Sequence, residues 1–233
     1  MPSQNTNTYR KGLKHSGVMA VCMAAQVIFG LFPNIIIAKK IGLGYATDVY
    51  LMALAINQII IKFSRIGTLP KIFIMVLSDD FIKDRHQTER NINNFLNIFF
   101  FFSLGVAILA YFMAPLLINI VAKGYDADKR AMTINIFRIL TPLLFYQCLT
   151  GLFEGVFKLN NKFRQWAILN IIPPVIITIF VFLFISRLGV YSMVYGALVA
   201  HFSHLLLLVY FCYIRFKYSY KFELNIKHHL FRK

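Results

Sequence analysis

The sequence predicts an all-α integral membrane protein with six transmembrane helices. Three observations carry that prediction. First, 58% of the 233 residues are hydrophobic, 24 of the residues being Phe, and the long apolar runs recur along the whole chain. Second, only 15% of the residues are charged, against roughly 25% in soluble domains, so hydrocarbon is the better solvent for this chain. Third, the runs are continuous rather than alternating. Backbone groups in a bilayer must be satisfied internally, by helices or a closed barrel, and continuous runs select helices. The net charge is +16, but the Lys and Arg residues flank the runs, as topology signals and anionic-lipid contacts do. No basic stretch carries a nucleic-acid fold signature, so no nucleic-acid partner is expected.

The first span covers residues 17–38, behind the basic Arg10, Lys11 and Lys14. It is longer than the roughly 7–15 apolar residues of a signal peptide, so it reads as a retained helix. After the short loop Gly42-Leu43-Gly44, apolar character runs over 46–78. That would be a helix of roughly 50 Å against a bilayer core of about 30 Å. Gly67 and Pro70 divide it, and the piece after Pro70 is too short to cross again, so one long bent helix projecting beyond the membrane is expected. A polar linker, 79–94, leads to span three, 95–121; a polar loop, 122–130, leads to span four, 134–157. Span five, 166–185, carries Pro173-Pro174 in its middle, where the lost backbone donors predict a kink. Span six is 191–214.

With the N-terminus inside, the inner segments hold 15 cations: Arg10, Lys11, Lys14, Lys83, Arg85, Arg90, Lys158, Lys162, Arg164, Arg215, Lys217, Lys221, Lys227, Arg232 and Lys233. The outer loops hold 6: Lys39, Lys40, Lys123, Lys129, Arg130 and Arg187. This asymmetry places both termini in the cytoplasm. The chain then reads as a single six-helix lobe over 1–233, with a cytoplasmic basic N-terminus at 1–15 and a cytoplasmic basic tail at 215–233. Cys22, Cys148 and Cys212 each lie inside an apolar run and are expected to pack as free thiols.

Charged residues at membrane depth are costly, roughly 2.5–3.5 kcal/mol each on insertion scales, and they mark cavities or partners. Gln58, Lys62 and Arg65 follow at spacings of four and three, one stripe of a helix. Two cations and an amide on one face suit a phosphate-bearing anion lining a cavity; the alternative is that Lys62 and Arg65 snorkel to the inner headgroups. On span four, Glu154 stands one turn before Lys158. It either pairs with that lysine or serves charge balance or ion coupling. Arg138, near the outer end of the same span, is a further candidate for charge balance or an interface anchor. Asp48 begins span two, where an acid meets the positive end of the helix dipole, and it is a further candidate for charge balance or ion coupling. Gln26, Gly30 and Pro33 share one face of span one, and Asn34 extends the same side. His201 and His204 are three apart but lack the further ligands a metal site needs, so packing or cross-helix hydrogen bonding is expected. No catalytic constellation, metal site or cofactor motif is present in the residues. A membrane-embedded transferase would need acids or histidines clustered near one interface, and Glu154 with the two histidines is a poor set.

Four segments, in order, carry a resemblance. GLGYATDVYLMALAI (42–56) resembles a G-x-G-x-x-T-D-aromatic-x-x-A segment, and RIGTLPKIFIMVLSDDF (65–81) the end of a bent second helix. GYDADKRAMTINIFRILTPLLF (124–145) resembles a Gly-aromatic loop followed by R-I-x-x-P. GLFEGVFKLNNKF (151–163) matches the ending before a fifth helix. Together they resemble the MurJ/MviN family, the lipid II flippases of the MOP exporter superfamily. The resemblance implies one six-helix lobe facing a second across a central cavity, in a bacterial cytoplasmic membrane. Alternating opening of that cavity would move a polyprenyl-pyrophosphate-linked sugar between leaflets, in the manner of paired transporter repeats around a midplane site. The implied partners are the lipid-linked oligosaccharide, membrane lipids, and a second six-helix lobe or a homo-oligomer. The family's basic cavity position is matched by Lys62, and the cavity lining expected from the residues themselves is Lys62, Arg65, Gln58, Gln26 and Asn34. The chain departs from the family in lacking cavity arginines over 26–34, in carrying Ile66-Gly67 where an acid-Gly pair is usual, and in a shifted Asn170, Pro173-Pro174 pattern. These departures leave the cargo open between lipid II and another lipid-linked oligosaccharide. The alternative expectation is a truncated or non-transporting membrane module that assembles with a second lobe.

Overall fold

A computed structural model describes residues 3–42, 44–64, 85–216 and 220–222. Among them are eight helices and no strand: α1 (Ser3–Lys40), α2 (Tyr45–Phe63), α3 (Arg85–Val121), α4 (Ala127–Leu140), α5 (Pro142–Leu159), α6 (Phe163–Leu169), α7 (Ile172–Leu188) and α8 (Tyr191–Phe216). They make six stretches long and apolar enough to cross a bilayer: Gly17–Lys40, Tyr45–Phe63, Arg90–Val121, Ala127–Leu159, Phe163–Leu188 and Tyr191–Ile214. The protein is a multi-pass membrane protein with the six spans the hydropathy pattern predicts. The expected continuation of the second span to Ser78, with Arg65, Gly67 and Pro70, lies outside the described residues.

Two spans differ in detail from expectation. Span four is broken at Thr141 into α4 and α5, because Pro142 lacks the amide that would continue the helix. It also starts earlier than expected, at Ala127, where the Asp126 side chain accepts from the Lys129 amide at 2.7 Å. Span five is interrupted between α6 and α7 rather than kinked in its middle. Pro173 and Pro174 occupy the first turn of α7, where a missing N–H loses nothing.

The order of packing follows from which faces are apolar. The broken fourth span is the most enclosed of the six; α4 packs against α2 and α3, and α5 against α3 and α8. The α7 and α8 helices form the tightest pair, and Gly196 lets them approach: a Cβ there would meet the Phe180 ring at 3.2 Å. The α1 helix leans mainly on α6 and α7 and is the least buried span. Turns close with few residues. Gly42, at φ 84 after α1, and Gly189, at φ 56 between α7 and α8, take positive φ, which costs glycine little because it has no Cβ.

The buried apolar residues form two clusters stacked along the bundle. One joins Ile37 of α1, Val49 and Ile56 of α2, Ala114 and Ile118 of α3, Phe137 of α4 and Val194 of α8. The other joins Phe95 of α3, Leu152 and Phe157 of α5, Trp166 of α6 and Leu208 of α8. The outer surface is apolar as well, with Phe112, Phe182 and Phe202 more than half exposed, as a lipid-facing surface requires. The three cysteines are buried and unpaired.

Candidate functional site

The polar residues at membrane depth divide into those that hold the lobe together and those that stand on its surface. Prolines explain the first group. A proline inside a helix frees the carbonyl four residues earlier, and in hydrocarbon that carbonyl needs another donor. Pro33 in α1 frees Phe29 O, which lies 3.1 Å from the Thr178 hydroxyl of α7. That hydroxyl is also 2.7 Å from Pro174 O in its own helix, so one proton serves two acceptors. Pro115 in α3 frees Tyr111 O, and Arg138 of α4 donates to it from Nε at 3.3 Å. The Arg138 guanidinium also sits over the Tyr111 ring, 5.1 Å from its centre. Pro142 frees Arg138 O, which the Thr141 hydroxyl takes at 2.8 Å. At the same break Leu144 N turns to Thr141 O, and the Leu140 carbonyl left behind accepts from Asn57 Nδ2 of α2 at 3.1 Å.

Two more contacts cross the bundle. Tyr146 of α5 and His204 of α8 are both buried and share a hydrogen bond of 2.5 Å through His204 Nδ1. The His201 ring lies 4.3 Å from that of Tyr146, centre to centre. The two histidines thus pack and bond across helices as expected. Among the described residues, no group of three or more His, Cys, Asp or Glu is placed to hold a metal.

Asp48 and Glu154 have neighbours of opposite charge. Asp48 meets Lys129 of α4 at 3.1 Å, and the Lys129 ammonium sits 4.3 Å from the centre of the Tyr125 ring. This ties the start of α2 to the start of α4. Glu154 pairs with Lys158 one turn on, half-buried, as their spacing allows.

The second group lies on α1 and α2. The α2 helix buries Val49, Tyr50, Ala53, Ile56, Asn57 and Ile61, and its Gln58 and Lys62 are exposed on the other side. Gln26 and Asn34 are exposed on α1, with Asn34 donating to Gly30 O of its own helix at 3.3 Å. Among the described residues no hydrogen bond joins these four to one another. Arg65, the last member of the stripe, lies outside the described residues. Sequence reasoning missed Asn57 and Tyr146. Asn57 shares a face with Ala53 and Ile56, a periodicity that marks it as buried, and Tyr146 follows the apolar run at the start of α5.

The comparisons with known proteins bear on the whole lobe. The family model described as lipid II flippase MurJ matches residues 37–233. The lipid II flippase MurJ of Thermosipho africanus is 26% identical over 172 residues, 74% of this chain and 35% of that protein. A solved lipid II flippase MurJ in an inward closed conformation superposes with a TM-score of 0.69 at 23% identity, covering 92% of this chain and 45% of the other. An outward-facing multidrug resistance MATE family transporter of the MOP superfamily superposes at 0.71 and 13% identity, covering 92% and 47%. The chain thus spans about a third of the curated relative and just under half of the solved chains. Structures this distant in sequence establish the fold alone, six spans arranged as in part of those transporters. The family match reaches from the end of α1 through every later helix, including the proline breaks and the polar stripe of α2, and so the chain belongs to the lipid II flippase MurJ family.

Proposed function

We propose that this chain forms one lobe of a flippase that moves a polyprenyl-pyrophosphate-linked sugar, lipid II or a related oligosaccharide, across the bacterial cytoplasmic membrane by alternating access. The observation that carries the reading is the face of α2. Gln58 and Lys62 stand on its exposed side, opposite the residues it buries, and the ion pairs among the described residues, Asp48–Lys129 and Glu154–Lys158, leave Lys62 out. Lys62 stands in the last turn of α2, where a cation with no ion-pair partner is unfavourable beside acyl chains and favourable beside water and phosphate. Lys62 and Arg65 attract the pyrophosphate. Gln58, Gln26 and Asn34 offer amides to sugar hydroxyls, and the prenyl tail stays in the bilayer.

The cavity needs a second wall. A second lobe of similar size, from another chain or from the rest of a longer one, closes it; the lobe's share of the solved transporters supports this. The proposed orientation has both ends of the lobe in the cytoplasm, with Asp48, Glu154 and Arg138 serving charge balance within the lobe.

The test is outer-leaflet exposure of a labelled lipid carrier in vesicles holding this lobe with its companion. Lys62→Ala is expected to abolish exposure above the empty-vesicle rate and Lys62→Arg to retain it. Unchanged transport by Lys62→Ala would refute the role given to the stripe.

A further inference from the structure

A groove of about 270 Å³ opens on the side of the bundle formed by α3, α5 and α8. No residue of α1 or α2 lines it. Its floor is buried Leu149, Phe153 and Cys212, and exposed Phe100 and Tyr213 stand at its lip. One end is polar. Tyr220, beyond α8, comes back against α3, its hydroxyl donating to Asn97 Oδ1 at 2.5 Å, and the exposed Lys221 follows directly.

Size and charge together select the occupant. A helix is about 10 Å across with its side chains and does not enter a slot of this volume. At about 30 Å³ for a water-sized group, the slot takes roughly nine methylenes, part of one aliphatic chain. The groove belongs to the end of the bundle where α3 starts and α5 and α8 finish. Among the described residues that end carries Arg90, Lys162, Arg164 and Lys221, besides the paired Lys158, which suits an anionic headgroup. An amphiphile with an anionic head and an aliphatic tail matches both ends of the site. The cargo is the less fitting source, because its head is placed on α1 and α2, which contribute nothing here. We infer that this groove binds one acyl chain of an anionic glycerophospholipid, whose phosphate meets Lys221. Bound there, the lipid joins α3, α5, α8 and the segment after α8 into one packed unit.

Photo-activatable phosphatidylglycerol, with its reactive group on the acyl chain, tests the site in the reconstituted protein. Labelling is expected to concentrate on the groove lining of α3 and α8 rather than on Leu206 and Phe202, which are exposed on α8 but outside the groove. Unlabelled phosphatidylglycerol should compete, and polyprenyl phosphate should not. Val209→Trp, which fills the groove, should cut labelling severalfold. Lys221→Gln should lower the preference for phosphatidylglycerol over phosphatidylcholine by about fivefold, as one interfacial lysine does. Even labelling of all bilayer-facing helices in the unaltered protein overturns the proposal, with no variant needed. Competition by polyprenyl phosphate overturns it too, and assigns the groove to a prenyl tail.

Discussion

Asn57 and Arg138 each donate to a carbonyl that a proline has freed, Asn57 at the break before Pro142 and Arg138 inside α3 at Pro115. Asn57→Leu removes the donor and leaves Leu140 O unmet in the core. It is expected to lower stability by about 1–2 kcal/mol, read by thermal or denaturant unfolding in detergent. For Arg138 a double-mutant cycle is sharper. Pro115→Ala returns an amide to Tyr111 O, so Arg138→Met should be less damaging in that background, with a coupling of about 0.5–1.5 kcal/mol. Equal effects in both backgrounds would mean that the arginine acts elsewhere. These roles were only partly legible in the sequence. Arg138 stood out as a charge in an apolar run, but its acceptor is a backbone atom 27 residues away that no side-chain pattern announces. Asn57 was hidden beside Gln58, whose spacing to Lys62 drew attention to the other face of the helix.

At the scale of elements, six spans were readable because hydropathy averages over some twenty residues, and a membrane imposes that length. Interruptions were less readable. Pro142 and the Pro173-Pro174 pair are visible, yet whether a proline kinks a helix, starts one or ends one depends on who takes the freed carbonyl. In α7 the pair falls in the first turn, so the helix begins with it instead of bending around it. Close approach was likewise unannounced. Gly196 looks like any small residue until Phe180 is placed against it. Gly196→Val should push α7 from α8 and cost about 1–3 kcal/mol by overpacking. Gly105→Ala, with no neighbour within 4 Å of the added carbon, should be close to neutral or slightly stabilising. A matched loss at both positions would show that the close contact does not limit stability.

For the whole molecule, orientation is the open physical quantity that the charge asymmetry addresses. A cysteine-free background, made by replacing Cys22, Cys148 and Cys212, allows single cysteines to report sidedness. A cysteine at Lys162 is expected to react with a membrane-impermeant maleimide only after cells are opened, and one at Lys123 in intact cells. The reverse pattern would invert the lobe and place the lipid groove in the opposite leaflet. The stripe of Gln58, Lys62 and Arg65, proposed above as the cargo face, was visible as a spacing in the sequence, and of it Gln58 and Lys62 fall among the described residues. What the sequence left out is the company it keeps, since exposure on α2 becomes meaningful only once the opposite side of the helix is seen buried.

The pairing of prolines with donors on other helices has a consequence for heredity. Pro33 and Thr178, Pro115 and Arg138, and the Pro142 break and Asn57 sit far apart in the chain. A lineage that lost one member of a pair would leave the other stranded, so the members should drift together. Chimaeras spliced between relatives should then work when the crossover carries both members and fail when it parts them.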